Sequence, residues 1–109
     1  MLFLGVVWKR LLGLTRALGG ASLQDDIRVV GVNPGPIMTD RLVGGLQVQA
    51  EKRFGDASRW RECKDGYPTL GQEPGQPQHI ADMVAFLASD LSAYTTGTII
   101  TIDGGHMGR

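Results

Sequence analysis

The residues best placed to do chemistry follow a short apolar run at 28–33. A Pro-Gly-Pro turn comes directly after Asn33, and Thr39 and Asp40 follow the turn. Threonine supplies both a hydrogen-bond donor and an acceptor, and glycine allows the backbone to approach a ligand closely. In open α/β sheets, ligands bind outside the carboxyl ends of the strands. We therefore interpret this stretch as a buried strand that leads into a ligand-binding loop.

The composition favours a single globular domain. The chain has 109 residues, of which 42% are hydrophobic, and both values are ordinary for one folded domain. Eleven basic and eleven acidic residues cancel, so the net charge gives no reason to expect binding to nucleic acid or to an anionic membrane. Cys63 is the single cysteine, which rules out an internal disulfide and suits a reducing compartment.

The N-terminal stretch is apolar but short. Residues 1–8 are followed by Lys9 and Arg10, whereas a membrane-spanning helix needs about 20 apolar residues. A secretory signal would have its basic residues before the apolar run. We therefore expect no targeting segment and, by default, a cytoplasmic location.

The first third of the chain reads as a helix followed by a strand. Apolar residues three and four apart predict an amphipathic helix over 2–18, which the pair Gly19-Gly20 ends as a C-cap. The β-branched run predicts the first strand at 28–33.

The remainder reads as a helical insert, a helix and a second strand. The insert at 39–64 is interpreted as two short helices around a break at Gly44-Gly45, the first of them capped by Asp40. After a loop rich in glycine and proline, the last helix is predicted at 77–89 and the last strand at 97–102. This order predicts an α/β fold in which a right-handed crossover joins two parallel strands.

Three blocks of sequence together resemble the C-terminal portion of the short-chain dehydrogenase/reductase family. They occur in the family's order and with nearly its spacing across residues 13–105. The resemblance implies that residues 1–109 form one partial Rossmann-like domain, the C-terminal part of a doubly wound sheet, with two parallel strands and three to five helices. The blocks are Gly13-Leu-Thr-Arg-Ala-Leu18 with Ile27-Arg-Val-Val-Gly-Val-Asn-Pro-Gly-Pro-Ile37 and Thr39, Ile80-Ala-Asp-Met-Val-Ala-Phe-Leu-Ala-Ser-Asp90, and Tyr94-Thr-Thr-Gly-Thr-Ile-Ile-Thr-Ile-Asp-Gly-Gly105.

The same resemblance implies a cofactor, NAD or NADP, and a place for its nicotinamide. Pro34 and Gly35 would shape the floor of the pocket. The backbone of Ile37 would bond the carboxamide, and the Thr39 hydroxyl would reach the same group or a phosphate oxygen. The alternative is an ordinary Asn-Pro-Gly turn that closes a strand, as in many folds.

Other parts of the family's site have no counterpart in this sequence. The glycine-rich turn that holds the pyrophosphate is absent, and so are the catalytic serine and the tyrosine with a lysine four residues later. That lysine lowers the pKa of the tyrosine, so that the phenol exchanges a proton with the substrate. Lys9 lies one residue from the family's lysine position, about 100° around a helix, and we interpret it as a solvated surface residue. We therefore assign no catalytic residue.

No metal site is expected either. His79, His106 and Cys63 lack the spacing of metal ligands.

Trp60 and Tyr67 are interpreted as hydrophobic anchors, with a role in a substrate lid as the alternative.

Three functional hypotheses follow. In the first, the chain is a segment of an NAD(P)-dependent oxidoreductase that keeps the nicotinamide-side loop but is inactive alone. In the second, it is a non-catalytic interaction module that docks on an intact family member. In the third, another chain completes the enzyme, which then acts on a small-molecule substrate. A family-type oligomer would form through the last helix and strand.

Overall fold

The computed structural model describes residues 2–65 and 67–108, and the side chains of residues 10–65 and 67–107. Within this part the two strands lie side by side and parallel in one sheet, and four helices accompany them, so the fold is α/β as the sequence predicts. The helices are α1 (Leu2–Ala21), α2 (Asp40–Phe54), α3 (Trp60–Lys64) and α4 (Pro77–Ala88), and the strands are β1 (Val30–Pro34) and β2 (Thr98–Ile102).

The chain divides into two compact units. One comprises residues 1–33 with 82–101, and the other comprises residues 34–81 with 102–109. The first unit holds α1, the end of α4 and most of both strands. The second holds α2, α3 and the segment after the Pro-Gly-Pro turn. The single partial domain that the sequence suggests stays a prediction.

In the first unit, α1 continues past the two glycines that the sequence predicts as its end. The helix runs to Ala21, and the left-handed residue that follows is Asp26, after a short 3₁₀ turn. Gly19 serves close packing instead: a Cβ atom there would lie 2.3 Å from the Cα atom of Gly97. The prediction of a Gly19-Gly20 C-cap is therefore wrong: both glycines lie inside the helix, and Gly19 admits the neighbouring backbone of Gly97.

Arg28 fixes the end of α4 beside the start of β1. Its Nη1 atom donates to the carbonyl of Leu87 at 2.9 Å and to the hydroxyl of Ser92 at 2.9 Å, and Nη2 donates to the carbonyl of Ser89 at 3.1 Å. The last carbonyls of a helix have no partner within the helix, and the guanidinium satisfies them here. The strand itself begins at Val30 rather than at the predicted residue 28.

In the second unit, α2 crosses the predicted break without interruption. Gly44 and Gly45 lie inside this helix, so the prediction of two short helices around a break there is wrong. Each glycine costs about 1 kcal/mol relative to alanine, but the apolar face of the helix is intact. Leu46 and Ala50 on that face are buried, and this burial is the physical reason that the helix persists.

A small hydrophobic core holds α2 and α3 together. Leu46, Ala50 and Cys63 form its buried centre, and Trp60 and Tyr67 pack against it with partial burial. The prediction that Trp60 and Tyr67 are hydrophobic anchors is confirmed. Met38, which follows the Pro-Gly-Pro turn, also packs on this core, so the core positions the candidate site.

Two further features complete the fold. A 3₁₀ turn at Leu70–Gln72 interrupts the loop that precedes α4. Within the part of the chain that the structure describes, no helix has the length and apolar character that a membrane span requires.

Candidate functional site

The candidate loop begins where β1 ends, and it is fixed there by the turn that follows β2. The N–H of Gly35 donates to the carbonyl of Ile102 at 2.9 Å. A Cβ atom on Gly35 would lie 2.4 Å from the Cβ atom of Asp103, a separation that real Cβ atoms do not show. Glycine at position 35 therefore lets the loop lie directly on the Asp103 turn.

The next part of the loop is held by the segment before α4. Ile37 and Gly75 form an isolated parallel bridge. The N–H of Gly75 donates to the carbonyl of Pro36 at 2.9 Å, and the N–H of Met38 donates to the carbonyl of Gly75 at 2.8 Å. These two bonds fix the peptide groups on either side of Ile37.

The bridge leaves the polar backbone groups of Ile37 itself available. In extended backbone, the N–H and C=O of one residue point to the side opposite those of its neighbours. Within the described residues, neither the N–H nor the C=O of Ile37 makes a hydrogen bond. Ile37 thus presents one donor and one acceptor, side by side and held in place by Gly75.

Thr39 begins α2 as its N-cap. Its backbone is extended, with φ −115° and ψ 164°, and its hydroxyl oxygen accepts from the N–H of Leu42 at 3.4 Å. Asp40 is the first residue of the helix rather than its cap, so the prediction that Asp40 caps the helix is wrong. The threonine holds this role because its backbone is already extended, whereas Asp40 is already helical. The side chain of Thr39 is exposed, and its O–H proton remains free to be donated.

The four residues predicted to contact the cofactor lie in one continuous segment. Pro34 is the exposed last residue of β1, Gly35 lies against Asp103, Ile37 lies at the bridge, and Thr39 caps α2. Their roles toward a ligand remain a prediction.

A cleft of about 350 Å³ lies beside this segment. Pro36 and Ile37 form one wall, residues 69–71 and 73–76 form another, and His79 and the turn at 102–104 close it. Sequence reasoning missed Gly75, His79 and Asp103 as parts of this region. The proline at the start of α4 is the sequence signal for Gly75, since it marks where the loop ends, but no local pattern pairs residues 75 and 37.

His79 closes the first turn of α4 with an uncommon capping interaction. The Nδ1 atom of its imidazole accepts from the backbone N–H of Gln76 at 3.0 Å, and the backbone N–H of His79 donates to the carbonyl of Gln76 at 3.0 Å. In a capping box, the residue at this third helical position, usually Glu or Gln, accepts from the N–H just before the helix. A histidine that accepts through Nδ1 carries its proton on Nε2.

Asp103 organises the turn under the loop. Its carboxylate accepts from the N–H of Met107 at 2.7 Å and from that of Gly105 at 2.8 Å. The bond from Met107 has the larger effect and the bond from Gly105 the next, and together they lower the pKa of Asp103 below its ordinary value. An ionised carboxylate engaged by its own backbone is a structural element rather than a proton donor or acceptor in catalysis.

One ion pair links the loop before α4 to α3. Lys64 Nζ lies 2.5 Å from Glu73 Oε2, and the bond to Lys64 lowers the pKa of Glu73. Both side chains are partly exposed to solvent, which screens the attraction, so the pair adds little to the stability of the fold.

Two further candidates from the sequence contribute nothing to the described loop. Cys63 is buried in the core of the second unit. The Lys9 side chain lies outside the described residues. Among the side chains that the structure describes, no group of three or more His, Cys, Asp or Glu could hold a metal ion.

Comparison with known proteins identifies the family. The model of the family described as enoyl-(acyl carrier protein) reductase matches residues 4–107. The chain belongs to the short-chain dehydrogenase/reductase family. Dehydrogenase/reductase SDR family member 4 of Caenorhabditis elegans is 39% identical over 107 residues, which are 96% of this chain and 38% of that protein. The chain spans about a third of the length of the curated short-chain dehydrogenases that it matches.

Solved short-chain dehydrogenases share the fold. L-sorbose reductase from Gluconobacter frateurii, in complex with NADPH and L-sorbose, superimposes with a TM-score of 0.81 at 24% identity, over 95% of this chain and 40% of that one. A 4-hydroxyisoleucine dehydrogenase complexed with NADH superimposes with a TM-score of 0.63 at 25% identity, over 93% of this chain and 36% of that one. The strand, loop and helix that carry residues 34–39 thus belong to a Rossmann-like architecture.

Proposed function

We propose that the segment from Pro34 to Thr39 forms the nicotinamide side of an NAD(P)-binding site in a short-chain oxidoreductase. The observation that carries this proposal is the backbone of Ile37, whose N–H and C=O are unpaired within the described residues and are held in place by Gly75. The family's 4-hydroxyisoleucine dehydrogenase binds NADH, which supports a nicotinamide cofactor for this chain.

The groups present at this loop fit a nicotinamide carboxamide. A carboxamide has an NH₂ donor and a carbonyl acceptor on one carbon, which complement the C=O and N–H of Ile37. The Thr39 hydroxyl adds a further donor through its O–H, while its oxygen accepts from the N–H of Leu42. When bound, the cofactor would supply the hydride chemistry, and these residues would orient its ring.

The chain by itself is proposed to be inactive. Its sequence has no glycine-rich turn for the pyrophosphate and no tyrosine with a lysine four residues later. The loop can position a cofactor by binding its carboxamide. It supplies neither a group that transfers a proton to the substrate nor the residues on the opposite side of the cofactor. An active site would require these groups from residues outside this sequence, and complementation with a separately expressed N-terminal half of a relative tests that requirement.

The test of the nicotinamide loop uses a ligand small enough for half a site. Nicotinamide mononucleotide is titrated into the ¹⁵N-labelled chain, and amide chemical shifts are recorded. We expect the largest changes at Ile37, Met38 and Thr39. Nicotinic acid mononucleotide is the matched control, because its carboxylate has no NH₂ donor for the Ile37 carbonyl. Equal shifts with both ligands, or shifts elsewhere in the chain, would contradict the proposal.

We propose a second function, an interaction module, on a different observation. Leu11, Leu14 and Leu18 lie three and four residues apart on α1 and are 50%, 53% and 47% exposed. Contiguous apolar surface of this kind marks protein–protein contacts. On α4, Val84 and Phe86 are also exposed. These helices would dock on an intact short-chain dehydrogenase.

Co-purification with a family member tests the second function. The Leu14→Glu variant places a charge in the middle of the exposed α1 surface and should abolish capture. Arg16→Glu, on the same helix but outside the leucine set, is the control and should retain it. If both variants bind equally, or if the wild-type chain forms self-associated aggregates alone, the interaction module is excluded.

A further inference from the structure

The first turn of α4 joins a titratable side chain to the segment that carries Ile37. His79 Nδ1 accepts from the N–H of Gln76 at 3.0 Å. Gln76 follows Gly75 directly, and Gly75 makes the two backbone bonds that fix Pro36 and Met38. The hydrogen bond of the imidazole is therefore one peptide away from the bridge.

The packing at Gly75 is equally close. A Cβ atom built on Gly75 would lie 3.0 Å from Ile37 Cδ1 and 3.3 Å from His79 Nδ1. The histidine ring and the isoleucine side chain thus enclose Gly75 from two sides. His79 is exposed and borders the cleft, so the link between the imidazole and Gly75 is the hydrogen bond from the N–H of the adjoining Gln76.

We propose that the first turn of α4 is a pH-sensitive contact, in which protonation of His79 releases Gln76 and weakens the hold of Gly75 on residues 36–38. This inference goes beyond the nicotinamide site, since it concerns the order of the segment with or without a ligand. A protonated imidazole has donors on both nitrogens and cannot accept the Gln76 N–H. It also places a positive charge at a helix N-terminus, where the helix dipole disfavours cations.

Three carboxylates lie around the cleft or on the same helix as His79. Glu73 lines the same cleft and is paired with Lys64, and Asp103 accepts from its own turn. Asp82 lies one turn later on α4 and has an interaction of its own. Carboxylates ordinarily titrate below pH 5, whereas histidine is the side chain that changes charge between pH 5 and 8. A structural change in that range therefore points to histidine.

The second histidine defines the control. His106 follows the Asp103 turn, and its Nδ1 atom is buried without a hydrogen-bond partner among the described residues. The chain has two histidines in all. His106→Gln thus leaves His79 as the single histidine of the chain, and His79→Gln leaves His106.

The experiment measures amide hydrogen exchange by NMR on the full ¹⁵N-labelled chain without ligand. Protection factors, corrected for intrinsic exchange, are compared at pH 5.5 and pH 7.5 for Gln76, Gly75 and Met38. We expect the protection of all three amides to be about tenfold lower at pH 5.5, from the loss of a cap and an unfavourable helix charge. His106→Gln should keep this difference, and His79→Gln should abolish it, because glutamine is a regular acceptor at this position of a capping box.

His79→Glu is the second variant, in case His79→Gln does not fold. It restores the usual capping-box acceptor, and protection at Gln76 should then be the same at pH 5.5 and pH 7.5. The proposal is overturned if the three amides of the wild-type chain show no difference between the two pH values. A difference that survives in the folded His79 variants overturns it too. Since no nucleotide is present, either result leaves the nicotinamide proposal to its own test.

Discussion

A Cβ atom on Gly35 would lie 2.4 Å from the Cβ atom of Asp103 and 2.6 Å from its Cα atom. The loop after β1 and the turn after β2 are therefore in direct backbone contact. The φ angle of Gly35 is not positive, so the requirement for glycine is steric rather than torsional.

The first prediction is that Gly35→Ala destabilises the chain. Overpacking of this kind costs about 1–3 kcal/mol in the free energy of unfolding, and here the clash is with backbone that cannot rotate away. Gly44→Ala is the matched control, because it lies inside α2 with no atom within 4 Å of its Cβ position. That substitution should stabilise the chain by about 1 kcal/mol. Urea unfolding followed by circular dichroism measures both, and an unchanged midpoint for Gly35→Ala would refute the steric account.

The glycines show which features a sequence can predict. The β-branched run and the Pro-Gly-Pro turn are local patterns, and they predict that a strand and a loop lie here, although β1 begins two residues later than predicted. The glycines themselves have different roles. Gly19 packs closely on Gly97, Gly44 lies inside a helix, and Gly35 contacts Asp103. Two of these roles depend on residues far along the chain. The local pattern therefore predicts a helix cap at Gly19 and a helix break at Gly44, whereas packing between distant residues keeps both helices continuous there.

The candidate site likewise contains residues that a local sequence pattern predicts and contacts that it does not predict. Thr39 and Ile37 follow from the turn and from the resemblance to a family, because both lie next to a recognisable motif. The bridge from Ile37 to Gly75 joins segments that are separated by the whole helical insert, and the capping of Gln76 by His79 is local but uses a histidine in place of the usual Glu or Gln. No hydrophobic period links such segments, so their pairing becomes visible in the structure alone.

The second prediction concerns Arg28. Arg28→Lys should lower the free energy of unfolding by about 2 kcal/mol, because hydrogen bonds from a charged group contribute about 1.5–3 kcal/mol. A lysine ammonium is a compact point charge and cannot span the carbonyls of Leu87 and Ser89 together. Arg16→Lys, on the exposed face of α1, is the control and should change the stability by less than about 0.5 kcal/mol. Equal effects of the two substitutions in urea unfolding would show that the Arg28 contacts are not maintained in solution.

The third prediction concerns the response of stability to acid. Backbone bonds, first from Met107 and then from Gly105, lower the pKa of Asp103 in the folded chain. Its ionised form therefore stabilises the fold above the ordinary aspartate pKa of about 4. This contribution is lost as the pH falls through the lowered folded-state value. In Asp103→Asn, which does not titrate, the free energy of unfolding should fall less steeply between about pH 5 and pH 2.

Unfolding curves at several pH values check this prediction. Asp56, Glu62 and Glu73 also have lowered pKa values, but all three are present in the wild-type chain and in the variant, so the difference between the two curves isolates Asp103. Asp90→Asn is the control, since the Asp90 carboxylate makes no hydrogen bond within the described residues. Parallel curves for wild type and Asp103→Asn would mean that the turn does not engage the carboxylate.

The last prediction separates two roles of Thr39. Its hydroxyl oxygen accepts from the N–H of Leu42, and its proton is proposed to be donated to a bound nicotinamide group. Thr39→Val removes both and should lower the free energy of unfolding by about 1 kcal/mol, the usual cost of a lost N-cap, as well as the affinity for nicotinamide mononucleotide. Thr39→Asp keeps a capping acceptor but has no proton to donate, so it should retain stability and lose affinity. Thr39→Ser should retain both. If Thr39→Asp is as unstable as Thr39→Val, the capping role is wrong; if it binds as the wild-type chain does, the donor role is wrong.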